Sequence, residues 1–290
     1  MRLRLAVSAC LLGERVRWNA GHKREAFLAD IVGDHVDWVP FCPEDAVMGT
    51  PRPTLRLERI DGKVRAVTKE GADPTDALAA TTPQDAVHGI ILKRGSPSCG
   101  LDVPIWEAGT QRGRGPGIVA GRLMQTHVPV TDEGRLREPG WREHFFDQAF
   151  TWLRWEELGE PDAHALSTWH ARHKLTLMAH DPAGAKALGQ LAAAGDVAGY
   201  RERLAPTLQT QSTRGRHANV LQHIQGYVSD AIDADDRAEL AGHIDAYRTG
   251  LVPLLVPLTL LAHHARKHAP AWLLEQTYLD PYPAEWMLRA

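Results

Sequence analysis

Three times in the first hundred residues a short apolar run ends in a cysteine, and this repetition constrains the fold more than any other feature of the chain. Leu3-Arg4-Leu5-Ala6-Val7-Ser8-Ala9 leads to Cys10, and His35-Val36-Asp37-Trp38-Val39-Pro40-Phe41 leads to Cys42. Gly89-Ile90-Ile91-Leu92 leads into the loop Lys93-Arg94-Gly95-Ser96-Pro97-Ser98-Cys99-Gly100. Runs of this length and composition, bounded by turn residues, read as strands. In a parallel sheet their carboxyl ends lie at one edge, where open α/β folds bind ligands. Cys10, Cys42 and Cys99 then converge despite their separation in sequence.

The intervening segments fit that frame. Helical patterns cover 24–30 and 74–87, and a hairpin around Asp61-Gly62 accounts for the charged stretch through Arg52, Arg56 and Arg59. Gln111-Arg112-Gly113-Arg114-Gly115-Pro116-Gly117 matches no phosphate-loop fingerprint; it reads as a flexible solvated loop or a phosphate-contacting lid. A helix over 118–125 and a last strand over 128–131 close an α/β domain with a largely parallel sheet, assigned to 1–145. Strand patterns then vanish. Helical periods at 141–158, 163–179, 183–194, 196–208, 216–232, 235–250 and 252–268 predict an all-α domain over 146–290. Its most apolar stretch, 251–261, carries Pro253 and Pro257 and is expected to be a kinked core helix.

A chain of 290 residues accommodates two such domains without staples. Met1-Arg2-Leu3-Arg4-Leu5 leads straight into a strand pattern rather than a signal peptide, and no apolar run approaches the roughly 18 residues of a membrane span. A cytoplasmic protein with no membrane partner is expected. Three cysteines, an odd number in that compartment, argue against disulfides. What remains is three buried thiols, one reactive thiol with two bystanders, or three ligands of one site. As ligands they would hold either a zinc completed by a histidine or an iron–sulfur cluster with one iron lacking a protein ligand. The absence of close C-x2-C pairs disfavours zinc, whereas an open iron acts as a Lewis acid for soft sulfur.

The groups such chemistry needs lie nearby in sequence. Glu44, two residues after Cys42, is placed to activate water or shuttle a proton, with Ser98 and Lys23 as further catalytic candidates. Ser8, Arg94 and Ser96 suit an anionic or carbonyl substrate. In the helical half, His170, Arg172, His173 and Lys174 form one polar block, and Arg214, Arg216, His217, Asn219, Gln222 and His223 form a second. His170, His173 and Lys174 share a face at helical spacing, as do Arg216, Asn219 and His223. Such faces suit phosphate and base-edge contacts, with Trp169 and Tyr227 available for stacking. His263-His264 with Arg266-Lys267-His268 adds a third basic cluster. The net charge of -3 gives no global case for nucleic acid, so RNA binding must rest on these local clusters.

Ser8-Ala9-Cys10-Leu11-Leu12-Gly13, Phe41-Cys42-Pro43-Glu44 and the octet from Lys93 to Gly100 together resemble the thiouracil desulfidase family. The helical half resembles a domain often fused to it, through His170 to Lys174, Arg216 to Tyr227 and Tyr278-Leu279-Asp280-Pro281-Tyr282-Pro283. The fused form is similar to bacterial desulfidases that convert 4-thiouridine in tRNA to uridine. The resemblance implies that Cys10, Cys42 and Cys99 hold a 4Fe-4S cluster whose fourth iron binds the thiocarbonyl sulfur. Glu44 would assist water attack at the carbon, with hydrosulfide released and no net redox change. Asn19, a further substrate-binding candidate, stands where the family commonly has Asp before Gly-x-Lys, and Leu101-Asp102 follow Cys99-Gly100 where small serine-containing forms also occur. The expected partner is tRNA containing 4-thiouridine. Alternatives are a desulfidase of free thiouracil or 4-thiouridine monophosphate, and a non-catalytic metal-stabilised RNA-binding protein.

Overall fold

All three cysteine-bearing runs form strands, and the three lie side by side. The computed structural model describes residues 2–83 and 86–283, and the chain divides into two compact units, Met1–Phe145 and Phe146–Ala290. In the first unit β1 (Leu3–Ser8), β2 (Val36–Phe41), β5 (Gly89–Leu92) and β8 (Val130–Asp132) form a sheet in the order β2-β1-β5-β8. Every neighbouring pair is parallel. Cys42, Cys10 and Cys99 therefore follow three adjacent strands at one sheet edge. Gly89 to Leu92 are all buried, as a parallel strand covered on both faces requires. Gly89 is needed for packing as well: a Cβ there would lie 2.8 Å from the Phe145 ring.

The hairpin expected at Asp61-Gly62 joins β3 (Leu55–Ile60) and β4 (Lys63–Thr68), which belong to a second sheet with β6 (Val103–Glu107) and β7 (Thr110–Gly115) in the order β4-β3-β6-β7. β3 and β6 are parallel, while β6 and β7 form a second hairpin. This corrects the reading of residues 111–117 as a loop or lid. Gln111 to Gly115 lie in β7, and Arg114 is tied to Asp102 by a 2.7 Å ion pair. Alternating glycines and arginines hide a strand because neither residue has β-propensity; pairing with β6 overrides that.

Short helices α1 (Pro43–Met48), α2 (Thr75–Ala80) and α3 (Ile118–Leu123) connect these strands. The helix expected over 24–30 is displaced to a wide helical segment, Phe27–Val32, followed by a tight turn, Gly33–His35. That expected over 74–87 persists only as α2, because Thr81 turns extended and Pro83 cannot donate to a continuing helix; Gln84 and Asp85 lie outside the described residues. Ala6, Ile90 and Leu92 of the first sheet, Leu57, Val103 and Ile105 of the second, Leu78 of α2 and Val119 of α3 share one core. Each fully buried aliphatic side chain there contributes about 1.5–3 kcal/mol relative to exposure.

Beyond α4 (Pro139–Leu158), the second unit is helical: α5 (Ala163–His180), α6 (Pro182–Ala194), α7 (Val197–Gln209), α8 (Arg214–Val228), α9 (Ala234–Arg248), α10 (Leu255–His268) and α11 (Ala271–Leu274). Five starts are set locally by side-chain caps, in which Asp162, Asp181, Asp196, Thr213 and Asp233 accept from the backbone N–H of Ala165, Ala183, Gly199, Arg216 and Asp236. Each cap contributes about 0.5–2 kcal/mol. Trp152, Trp155, Trp169 and Tyr200 anchor one core, and Leu221, Ile224, Leu240, Ile244, Leu261 and Tyr278 another. The kinked core helix expected over 251–261 is not formed. α10 starts only at Leu255, which puts Pro257 in its first turn where a missing N–H costs little, and Leu251 is 80% exposed in the preceding turn. Among the described residues no helix is long and apolar enough to cross a membrane.

Candidate active site at the cysteine-bearing strand ends

The three cysteines line a single cavity of about 270 Å³, together with Ser8, Glu44, Lys93, Arg94 and Ser96. Each cysteine arrives by a different local device. Cys10 sits in the tight turn Ala9–Leu11 directly after β1, and Cys42 precedes α1 in an extended conformation. Cys99 is carried by the loop after β5. That loop turns at Gly95, whose φ of +74° is open to glycine at little cost. It is pinned at Gly100, where a Cβ would come within 2.5 Å of Val103 and 2.7 Å of the Ser96 carbonyl.

Burial pushes the Cys10 thiol up to about 11, helped by Cys42 and opposed by Lys93 and Arg17. Burial also raises Cys99, reinforced by Glu44, while a hydrogen bond with Ser8 acts the other way. Cys42 is raised by burial too, and partly relieved by a backbone hydrogen bond at Asp45 and by Arg52. As free groups all three are neutral thiols at neutral pH. A bound metal supplies the charge that would deprotonate them.

Among the described residues no group of three or more His, Cys, Asp or Glu side chains is placed to hold a metal ion as the side chains stand. Three thiolates are nonetheless a donor set that soft metals and iron–sulfur clusters take.

Glu44 stands in the first turn of α1 with both carboxylate oxygens engaged. Oε1 accepts from Ser96 Oγ at 2.8 Å, and Oε2 accepts from Arg52 Nη2 at 3.1 Å. Ser96 Oγ in turn accepts from the Ser98 and Cys99 N–H groups, so one hydroxyl joins the carboxylate to the Cys99 loop. Ser8 Oγ accepts from the Lys93 N–H at 2.9 Å. Glu133 binds both the Lys93 ammonium and the Arg94 N–H, and so braces the loop from behind. Arg17 and Arg94 line the cavity, and the guanidinium of neither is paired within the described residues.

Of the residues expected in the site, the structure gathers Cys10, Cys42, Cys99, Glu44, Ser8, Ser96 and Arg94, and leaves out three. Ser98 is fully buried off the cavity, and its carbonyl caps the start of α3; the hydroxyl facing Glu44 is that of Ser96. Lys23 is exposed, and only its backbone N–H reaches the site, donating to the Cys10 carbonyl at 2.9 Å. Asn19 is exposed as well, its side chain accepting from the Gly21 N–H in a local turn. The reading of individual side chains missed Arg17, Trp18, Arg52, Thr54 and Lys93, all of which line the cavity. Lys93 opens the loop octet itself, and its position at a strand end was the available signal.

In the helical unit the polar blocks divide between core and surface. His173 is 2% exposed, stacks on Trp169 at 3.7 Å and donates to the Trp169 carbonyl; burial lowers its pKa to about 3. His217 is buried against the Tyr278 hydroxyl at 2.9 Å, and half-buried His170 pairs with Tyr200. Arg216 donates to the carbonyls of His180 and Gln211, and Arg214 donates to that of Tyr247 while lying over its ring. His170, His217, Arg214 and Arg216 bond to residues outside their own helices, and His173 and His217 are too buried to touch RNA. Trp169 is likewise buried, so of the two expected stacking residues only Tyr227 is exposed, at 48%. Arg172, paired with Glu275, and Lys174, Asn219, Gln222 and His223 face solvent.

An α/β unit that presents three thiols and a braced carboxylate at the ends of parallel strands defines a candidate enzyme site. Residues 5–134 match the family described as 2-thiouracil desulfurase, and residues 174–283 match the family described as Protein of unknown function (DUF1722). A relative from Escherichia coli (strain K12), "Uncharacterized protein YbgA", is 36% identical over 135 residues, covering 43% of this chain and 79% of its own length. The solved structure of "[4Fe-4S]-dependent thiouracil desulfidase TudS" is 28% identical, with a TM-score of 0.38, over 47% of this chain and 94% of that one. By the Escherichia coli relative the chain belongs to a YbgA-like family, and its residues 5–134 add a match to the 2-thiouracil desulfurase family.

Proposed function

We propose that the chain is an iron–sulfur-dependent desulfidase that converts 4-thiouridine in tRNA to uridine by hydrolysis. The observation that carries this reading is the convergence of Cys10, Cys42 and Cys99, from three adjacent parallel strands, on a cavity that also holds Glu44. Those three thiolates would hold the cluster, whose iron without a protein ligand supplies a Lewis acid for the thiocarbonyl sulfur. The rest of the chemistry falls to the chain's own groups. Glu44, aimed by Ser96 and Arg52, takes a proton from water as its oxygen bonds to the carbon. The carbon–sulfur bond breaks, and sulfur departs as hydrosulfide. Thiocarbonyl plus water gives carbonyl plus hydrogen sulfide, so no external oxidant or reductant enters.

Arg17 and Arg94, cations whose guanidinium groups have no acceptor among the described residues, support an anionic substrate and favour a nucleotide over a free base. The exposed set Arg172, Lys174, Asn219, Gln222 and His223 supports contact of the helical unit with tRNA. A second reading, desulfidation of free 4-thiouridine monophosphate, draws on the same arginines, since a cavity of about 270 Å³ suits one nucleotide. Incubating the anaerobic protein with thiolated tRNA and with 4-thiouridine monophosphate, and following loss of thiocarbonyl absorbance, separates the two. Faster turnover of tRNA supports the first reading, faster turnover of the monophosphate the second, and no loss from either rejects both. Arg17→Ala is expected to raise KM for the monophosphate by about tenfold, the loss of one charge-assisted hydrogen bond, with less effect on thiouracil.

A further inference from the structure

We propose that Arg52 is a positioning residue that sets the Glu44 carboxylate for proton transfer and ties it to Cys42. The proposal rests on the desulfidase reading above and adds a residue to its machinery. Arg52 sits in the turn after α1, and its side chain is only 2% exposed. Nε and Nη2 both reach Glu44 Oε2, at 3.4 and 3.1 Å, and Nη2 lies 3.9 Å from Cys42 Sγ. Nη1 donates to the Gly49 carbonyl at 3.1 Å and the Thr50 hydroxyl at 2.9 Å; Thr50 in turn donates to Asp45. All three nitrogens are thus directed at protein groups.

This geometry explains why an arginine, at the cost of burying a charge, stands on a cavity wall. A carboxylate held only by Ser96 could rotate about its terminal torsion and carry its free lone pairs away from the cavity. With Ser96 on one oxygen and the planar fork of Arg52 on the other, that rotation breaks a hydrogen bond whichever way it goes. Lysine offers the charge without the fork. Because the same guanidinium faces Cys42, the acid and the thiol keep a fixed spacing, and spacing of this kind governs the chemical step more than substrate affinity.

The test is a double-variant cycle on the full chain, prepared anaerobically. Arg52→Gln should lower kcat about 100-fold, the usual cost of an ångström-scale misplacement, and leave KM, iron content and melting temperature near those of the parent. In a Glu44→Gln background the same change should cost little more, because Arg52 acts through Glu44. Arg52→Lys should fall between. Fully multiplicative losses, an unchanged kcat in Arg52→Gln, or loss of iron from that variant would each overturn the proposal. A crystal structure of metal-free Arg52→Gln gives a readout that does not depend on turnover. Glu44 should leave its rotamer there, and a Glu44 still bonded to Ser96 in the same rotamer contradicts the proposal even if the wild type proves inactive on thiolated uridine. If Arg52→Gln does not fold, Thr50→Val loosens the guanidinium while keeping it; kcat should drop up to about tenfold, and no drop overturns the claim.

Discussion

In the α/β unit, the residues that stand out in the sequence line an open cavity; in the helical unit they divide, and several of the histidines are sealed in the core. Cys10, Cys42, Cys99 and Glu44 surround shared space, whereas His173, His180 and His217 are each buried and bonded to a carbonyl or a tyrosine hydroxyl. The same kind of residue, a polar group at a marked spacing, therefore does opposite jobs. At the ends of parallel strands a side chain has nowhere to go but the sheet edge. On a helix it has a full circle of directions, and tertiary partners choose among them.

The contrast breaks most sharply under cysteine replacement. Cys99→Ser should abolish iron content and turnover together, measured by metal analysis and by thiocarbonyl absorbance, while His173→Ala should leave the iron in place. A smaller effect on the same site comes from Glu44→Ala, which is expected to keep the iron and lose about 10²–10⁴-fold in kcat, the range for a general base. Next come the buried histidines. His217→Ala removes the hydrogen bond between His217 and the Tyr278 hydroxyl and should lower the unfolding free energy of the helical unit by about 1–3 kcal/mol, with desulfidation of 4-thiouridine monophosphate unchanged.

Acid should expose the same difference. The folded-state pKa values of His173, about 3, and His180, about 4, lie below the ordinary 6.5, because burial disfavours the imidazolium. The unfolded chain therefore binds protons that the folded chain does not, and stability falls as pH drops below about 6.5, by up to about 1.4 kcal/mol per pH unit for each histidine. Circular dichroism melts of the helical signal between pH 7 and 5 check the sign. The smallest expected effect is at the surface: Lys174→Ala should weaken tRNA binding at low salt and reduce the slope of log affinity against log salt by about one. An unchanged slope would remove Lys174 from the interface.

What could be read in advance follows the same division. The parallel strands were legible because Ile90, Ile91 and Leu92 form an uninterrupted apolar run and three of the strands lead on to a rare residue, cysteine. β7 was not, since its glycines and arginines acquire strand geometry only by pairing with β6. Glu44 was legible from its place two residues after Cys42. Arg52 was not, because its role exists only once the turn after α1 folds the guanidinium back onto Glu44. In α8 the sequence placed Arg216, Asn219 and His223 on one face, but could not show that Tyr278, 61 residues beyond His217, closes over the neighbouring side of that helix.

The central claim is that Cys10, Cys42 and Cys99 act together as ligands of one iron–sulfur group, and the most direct measurement is metal and acid-labile sulfide analysis of the anaerobically purified chain. The account predicts a brown protein with iron and sulfide in equal amounts, and loss of both on replacing any one of the three cysteines by serine. A colourless protein carrying zinc, or iron retained after two of the three replacements, would contradict it.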